Sequence, residues 1–127
     1  MRQVLVDTSV WVNHFRRPDG ALMRLLALDQ VVAHPLVVGE IACGTPPARV
    51  QTLADLQALQ VVRQASVREA MEFVERERLF GLGCGLVDVM LLASALMTPV
   101  TALWTLDKRL SALAHRFGVM HRSSEPA

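Results

Sequence analysis

An α/β domain built on a parallel sheet covered on both faces is the fold this sequence predicts. Short Val-rich runs recur along the chain and alternate with stretches whose apolar residues repeat at helical spacing. The runs are apolar throughout, as strands buried on both faces are, and do not alternate with polar residues. The 127 residues, 52% of them apolar, suffice for one core, and no repeat, linker or low-complexity segment divides them. Residues 1–127 are therefore read as one domain, with 121–127 as a loose tail.

The elements follow in order. Gln3–Val6 is a first strand ending at Asp7, and Thr8 and Ser9 offer hydroxyl caps to a helix carrying Val10, Trp11 and Phe15. Arg16-Arg17-Pro18-Asp19-Gly20 reads as a loop, and Leu22, Leu25 and Leu26 mark a short helix. Val31–Ala33 is a second strand, and Pro35 opens a helix running to about Gly44. After Thr45-Pro46-Pro47 a helix turns Val50, Leu53, Leu56 and Leu59 inward, and Val61-Val62 is a third strand. Val67, Ala70, Met71 and Val74 then repeat at helical spacing, opposite a solvated face of Glu69, Glu72, Glu75 and Glu77 with Arg68, Arg76 and Arg78. Gly81, Gly83 and Gly85 form a flexible approach to a helix beginning near Asp88. Thr101–Thr105 is a further strand, Leu110, Leu113, Ala114 and Phe117 form one face of the last helix, and Gly118 stops it before a final edge strand at Val119-Met120.

Composition narrows the function. A net charge of +1 offers no general field for phosphates, and with no Tyr, two Trp and four Phe there is no evident platform for stacking single strands. Any nucleic-acid chemistry must come from a local site. Only 20% of residues are charged, so exposed apolar surface and a partner or oligomer are expected. Cys43 and Cys84 are isolated and read as buried free thiols. His14, His34, His115 and His121 never fall at ligand spacing, which argues against zinc. The uncharged run from Val89 to Leu106 reaches the lower edge of membrane-span length, but Thr98-Pro99 breaks it into a buried helix, a turn and a buried strand. A strand beginning almost at the first residue leaves no room for a signal peptide, giving a cytoplasmic reading with no membrane.

The acids carry the chemistry. Asp7 follows the first strand, Asp107 follows the Thr101–Thr105 strand after one residue, Asp88 opens an apolar helix, and Glu40 lies among Val37, Val38, Ile41 and Ala42, where a charge is poorly solvated. Ligands of open parallel sheets bind beyond the carboxyl ends of the strands, so these acids can converge there. Each also has a plain structural reading: Asp7, Asp88 and Asp107 as helix caps, Glu40 reaching water along its stem. Taken together those readings leave unpaired carboxylates in apolar surroundings, a cost that a hard cation such as Mg²⁺ or Mn²⁺ would remove.

Val4-Leu5-Val6-Asp7-Thr8-Ser9, the isolated Glu40, Gly85-Leu86-Val87-Asp88 leading into Leu91-Leu92-Ala93-Ser94-Ala95, and Leu103-Trp104-Thr105-Leu106-Asp107-Lys108-Arg109-Leu110 resemble a PIN domain, and more closely the VapC-type toxins, from residue 4 to about 119. The resemblance implies a three-layer sandwich with a central mostly parallel sheet flanked by helices. It also implies an endoribonuclease dependent on Mg²⁺ or Mn²⁺, leaving a 5′-phosphate and a 3′-hydroxyl. Asp7, Glu40, Asp88 and Asp107 match the acidic quartet, with Asp7 and Asp88 as the first choice of direct metal ligands and Glu40 and Asp107 acting directly or through water. Thr8, Ser9 and Thr105 match supporting hydroxyls. A VapB-type antitoxin and a dimer or larger assembly are implied partners. Close relatives often carry His where this chain has Met90, and Arg where it has Leu106, positions that bear on RNA placement more than on metal binding. Arg16 and Arg17 stand where they either touch phosphate or merely solvate a loop.

Two other readings, one signalling and one enzymatic, share the fold class. A receiver domain wants paired acids near the first strand and a phosphoacceptor after a middle one, whereas Asp55 lies in a helical stretch. A haloacid-dehalogenase-type phosphatase wants a second Asp where Ser9 stands. The remaining competitor is a PIN-like protein that has lost turnover and acts as a binding or regulatory partner.

Overall fold

The computed structural model describes residues 2–122. Four strands, β1 (Gln3–Val6), β2 (Val31–Ala33), β3 (Gln60–Val61) and β4 (Thr101–Trp104), form one parallel sheet in the order β3-β2-β1-β4. Val4, Leu5 and Val6 of central β1 are all buried although successive side chains point to opposite faces, so both faces of the sheet are covered. Seven helices provide that cover: α1 (Thr8–Arg16), α2 (Gly20–Ala27), α3 (Pro35–Ala42), α4 (Arg49–Gln57), α5 (Val67–Glu77), α6 (Leu86–Met97) and α7 (Lys108–Arg116). The result is the three-layer α/β sandwich expected.

The crossing from β1 to β4 positions the site. Val6 lies opposite Trp104 in register, so the chain leaves both strands at the same edge of the sheet and delivers Asp7 beside Thr105. The helix α6 is apolar on nearly every side: Val89, Leu91, Leu92, Ala93 and Ala95 are buried, and it packs against α5, α7 and β4. It accounts, with β4, for the long uncharged run, and no helix among the described residues is long and apolar enough to cross a membrane.

Several local expectations change. The cap of α1 is Asp7, which accepts from the Thr8 N–H, while the Thr8 hydroxyl is turned to Glu40 and the Ser9 hydroxyl to Asp7 itself. Val50 is 84% exposed because α4 starts only at Arg49, after Ala48 in the left-handed region, which leaves Val50 on the first turn outside the core. On α5 the inner face is Ala70 and Phe73 with Val74, and Val67 and Met71 are exposed. The Phe73 ring, seated 5.2 Å from that of Phe117, sets the helix rotation, and its bulk outweighs the smaller apolar residues. The strand β4 ends at Trp104, one residue earlier than read. Val119 and Met120 make only a bridge beside Leu103, yet the His121 N–H bonds Leu103 O at 2.9 Å, so that part of the proposed loose tail is pinned and 123–127 lie outside the described residues.

His34 is the buried cap of α3: its Nδ1 accepts the Leu36 N–H, and burial pushes its pKa below the usual value.

Candidate active site

Asp7 is the hub. Only 7% exposed, it takes the Thr8 N–H on Oδ1 at 2.8 Å, and on Oδ2 the hydroxyls of Ser9 at 2.8 Å and Thr105 at 2.7 Å. These groups are themselves anchored, since Ser9 Oγ accepts the Leu106 N–H and Thr105 Oγ1 accepts the Asp107 N–H, both at 3.0 Å. The ends of β1 and β4 are thus laced together by hydroxyls that fix a buried carboxylate. Glu40 joins from α3, its Oε1 accepting the Thr8 hydroxyl at 2.8 Å. Asp107 caps α7, its Oδ1 accepting the Leu110 N–H at 2.9 Å.

Asp88 sits in the first turn of α6 and its Oδ2 accepts the Gly85 N–H at 3.4 Å. Its pKa is raised, chiefly by burial; the bond from Gly85 opposes this, and the charges of Asp7, Asp107 and Glu40 add to it. The charges of three acids from separate parts of the chain therefore reach Asp88. None of the four makes an ion pair among the described residues.

A family comparison decides what this cleft belongs to. The model of the PIN domain family matches residues 4–116, which carry all four acids. The chain belongs to the PIN domain family. Among curated proteins, Ribonuclease VapC32 of Mycobacterium tuberculosis, in each of two strains, is 42% identical over 119 residues, covering 91% of this chain and 94% of the relative. Among solved structures, the crystal structure of PAE2754 from Pyrobaculum aerophilum superposes with a TM-score of 0.58 at 15% identity, over 92% of this chain and 90% of that one, a likeness of fold. This is a PIN domain of the VapC type.

The plain and functional readings of this PIN domain's acids turn out to be compatible. Asp7 and Asp107 do cap helices, but each cap uses one oxygen. Asp107 Oδ2, Asp88 Oδ1 and Glu40 Oε2 take no hydrogen bond from the described residues, and Asp7 has three of its roughly four acceptor positions filled. Among the described residues no three His, Cys, Asp or Glu side chains form a ready-made metal cage. The donor set suits an ion that keeps most of its water, held by one or two carboxylates with the rest reached through water, which is how Mg²⁺ is commonly bound.

Other sequence expectations are corrected here. Glu40 is exposed, so its charge is solvated, because α3 turns that face outward while Val37 and Ile41 are buried. The thiols are not both buried: Cys43 is exposed at the end of α3, and Cys84 is half-buried in the loop before α6. The Cys84 pKa is raised by burial and then by Asp88 and Asp107, and is opposed by Arg109. Of the two arginines read as a loop, Arg16 is the last residue of α1 and lines a groove of about 400 Å³ with Glu40, Phe15 and Pro46, and Arg17, the cap that follows, does not. Met90 is half-buried against the core, and Leu106 is exposed with its backbone tied to Ser9. The sequence reading takes Cys84 only as a buried thiol and gives Arg109 no role. A cation two residues beyond an acid at a strand end was the available signal for the second.

Proposed function

We propose that this PIN domain is a divalent-metal-dependent endoribonuclease that hydrolyses RNA phosphodiester bonds, the toxin component of a toxin–antitoxin pair. The reading rests on one observation above all: Asp88 lies half-buried under the charges of Asp7, Asp107 and Glu40, and none of the four is ion-paired among the described residues. Such a cluster is costly by itself and favourable around a cation. The 42% identity to a protein named as a ribonuclease points to RNA as the substrate.

Asp7 and Asp88 are assigned as the first ligands, with Glu40 and Asp107 reaching the ion directly or through water. Thr8, Ser9 and Thr105 are positioning residues that hold Asp7 and Glu40 in orientation. A bound Mg²⁺ or Mn²⁺ supplies positive charge to the phosphate and lowers the pKa of water for in-line attack. The carboxylates orient that water and accept its proton, and a 5′-phosphate and a 3′-hydroxyl are the products.

The exposed Val67 and Met71 on α5, with Leu82, Leu86 and Leu106, are apolar surface suited to partners: a second copy of the chain and a VapB-type antitoxin that blocks the cleft. The whole chain is read as one domain working in the cytoplasm. Purified wild type should cleave RNA with Mg²⁺ or Mn²⁺ and not with EDTA, and Asp7→Asn and Asp88→Asn should each bring cleavage below detection with the fold intact. Full cleavage by either variant would remove that acid from the mechanism. A wild type that binds RNA and leaves it whole with both ions would favour the non-catalytic PIN-like reading instead.

A further inference from the structure

The arginines of this protein differ in what occupies their donors. Arg2 donates to Gly118 O, Arg49 to Gly44 O and Ala42 O, and Arg116 to Glu77 O, while Arg68 pairs with Glu72. Arg109 makes its contact by packing instead. Its side chain lies across Gly83 so closely that a methyl carbon built there would fall 2.7 Å from Arg109 Cδ and 2.9 Å from both Nε and Nη1. Gly83 has φ +84°, so both its backbone and its missing side chain are needed for this contact. Yet no hydrogen bond or ion pair from the described residues engages the guanidinium. The side chain is exposed, its stem rests on Gly83, and its donors are open.

The location gives those donors a use. Arg109 follows Asp107 by two residues at the start of α7, and Gly83 lies in the loop that leads to Asp88. Cys84, next to Gly83, feels the charges of Asp88, Asp107 and Arg109, so the loop on which Arg109 rests stands near two of the four acids. An RNA strand entering four carboxylates is repelled. A metal ion can answer the charge of the phosphate being cut, but the phosphate next to it still faces the acids. A net charge of +1 gives no general field to offset this, so a local cation is required. A guanidinium fork matches phosphate oxygens in pairs.

We infer that Arg109, seated on Gly83, is a substrate-binding residue of the cleft that receives an RNA phosphate neighbouring the scissile one. This rests on the ribonuclease reading and adds a residue to that same site.

The test measures binding of a fluorescein-labelled single-stranded RNA by anisotropy in EDTA, across a NaCl series, with cleavage in Mn²⁺ followed in parallel. Arg109→Ala and Arg109→Gln should each weaken binding about tenfold, the usual scale for losing a hydrogen bond to a charged group. The slope of log affinity against log salt should fall by about 0.7, one phosphate contact on a single strand. Arg109→Lys should recover part of the loss, as a point charge without the fork. Arg109→Gln keeps the stem as far as Cδ, the atom nearest Gly83, which guards against a folding defect. Arg68→Ala is the control, because Arg68 is exposed and paired with Glu72, and Glu72 lines a groove with Leu96 and Met97, at the end of α6 away from Asp88. If Arg109→Ala and Arg109→Gln bind like Arg68→Ala while wild type binds and cuts RNA, the inference is overturned and the ribonuclease reading stands. If wild type neither binds nor cuts, both are overturned.

Discussion

The two ends of α6 treat their polar groups in opposite ways. At the Ser94–Thr98 end every side-chain group finds a partner within the protein. Buried Ser94 Oγ accepts the Ala65 N–H at 3.1 Å, and Thr98 Oγ1 donates to Ser94 O at 2.8 Å while accepting the Arg63 N–H at 2.9 Å. At the Asp88 end a half-buried carboxylate has one long bond from Gly85 and three like charges around it. One helix, apolar along nearly its whole length, thus closes on the protein at one end and leaves oxygens for something else at the other. A closed network stabilises the fold. An open, mutually repelling one is tolerated where a ligand completes it.

Substitutions at the two ends should therefore separate stability from activity. The largest effect belongs to the hydroxyls that hold the cleft. Thr105→Ala removes the 2.7 Å bond to Asp7 and should lower metal-dependent cleavage about 10–100-fold, the usual range for a group orienting a metal ligand, with little loss of stability. Steady-state cleavage beside a thermal melt checks both halves. At the other end Ser94→Ala leaves the Ala65 N–H buried without an acceptor and should cost about 1–3 kcal/mol of folding stability in a urea titration. Its specific cleavage rate should match wild type. A Ser94→Ala variant that keeps full stability but loses activity would dissolve the distinction between the two ends.

The sequence made the open end more legible than the closed one. Asp7 and Asp107 could be placed because acids directly after apolar strands have one edge of a parallel sheet to go to, and Val6 opposite Trp104 puts them there. Glu40 was found for a reason that does not hold. It was read as poorly solvated and is exposed, and its place in the cleft comes from Thr8 across the α1–α3 contact. The rotation of α5 was misread because spacing alone admits neighbouring faces, and the Phe73–Phe117 contact that chooses between them joins distant parts of the chain. The Gly83–Arg109 fit was hidden for the same reason, as a φ of +84° and the absence of a Cβ matter only once α7 is folded back against that loop.

The central claim, that these acids form a strained cluster completed by a cation, is tested most directly by melting the metal-free protein and its Asp88→Asn variant against pH and Mn²⁺. Burial first, and then the neighbouring charges, raise the Asp88 pKa above its usual 3.8, so the folded state holds this proton more tightly than the unfolded one. Ionised Asp88 therefore costs stability above its folded pKa, and the cost disappears as pH falls to 3.8 and below. Without metal at neutral pH, Asp88→Asn should melt higher than wild type, and the two should converge as the medium becomes acid. Adding Mn²⁺ at neutral pH should raise the wild-type melting temperature with the logarithm of its concentration and raise the variant much less. A wild type indifferent to millimolar Mn²⁺ while it cuts RNA, or a metal-free Asp88→Asn that melts lower than wild type at neutral pH, would contradict the account.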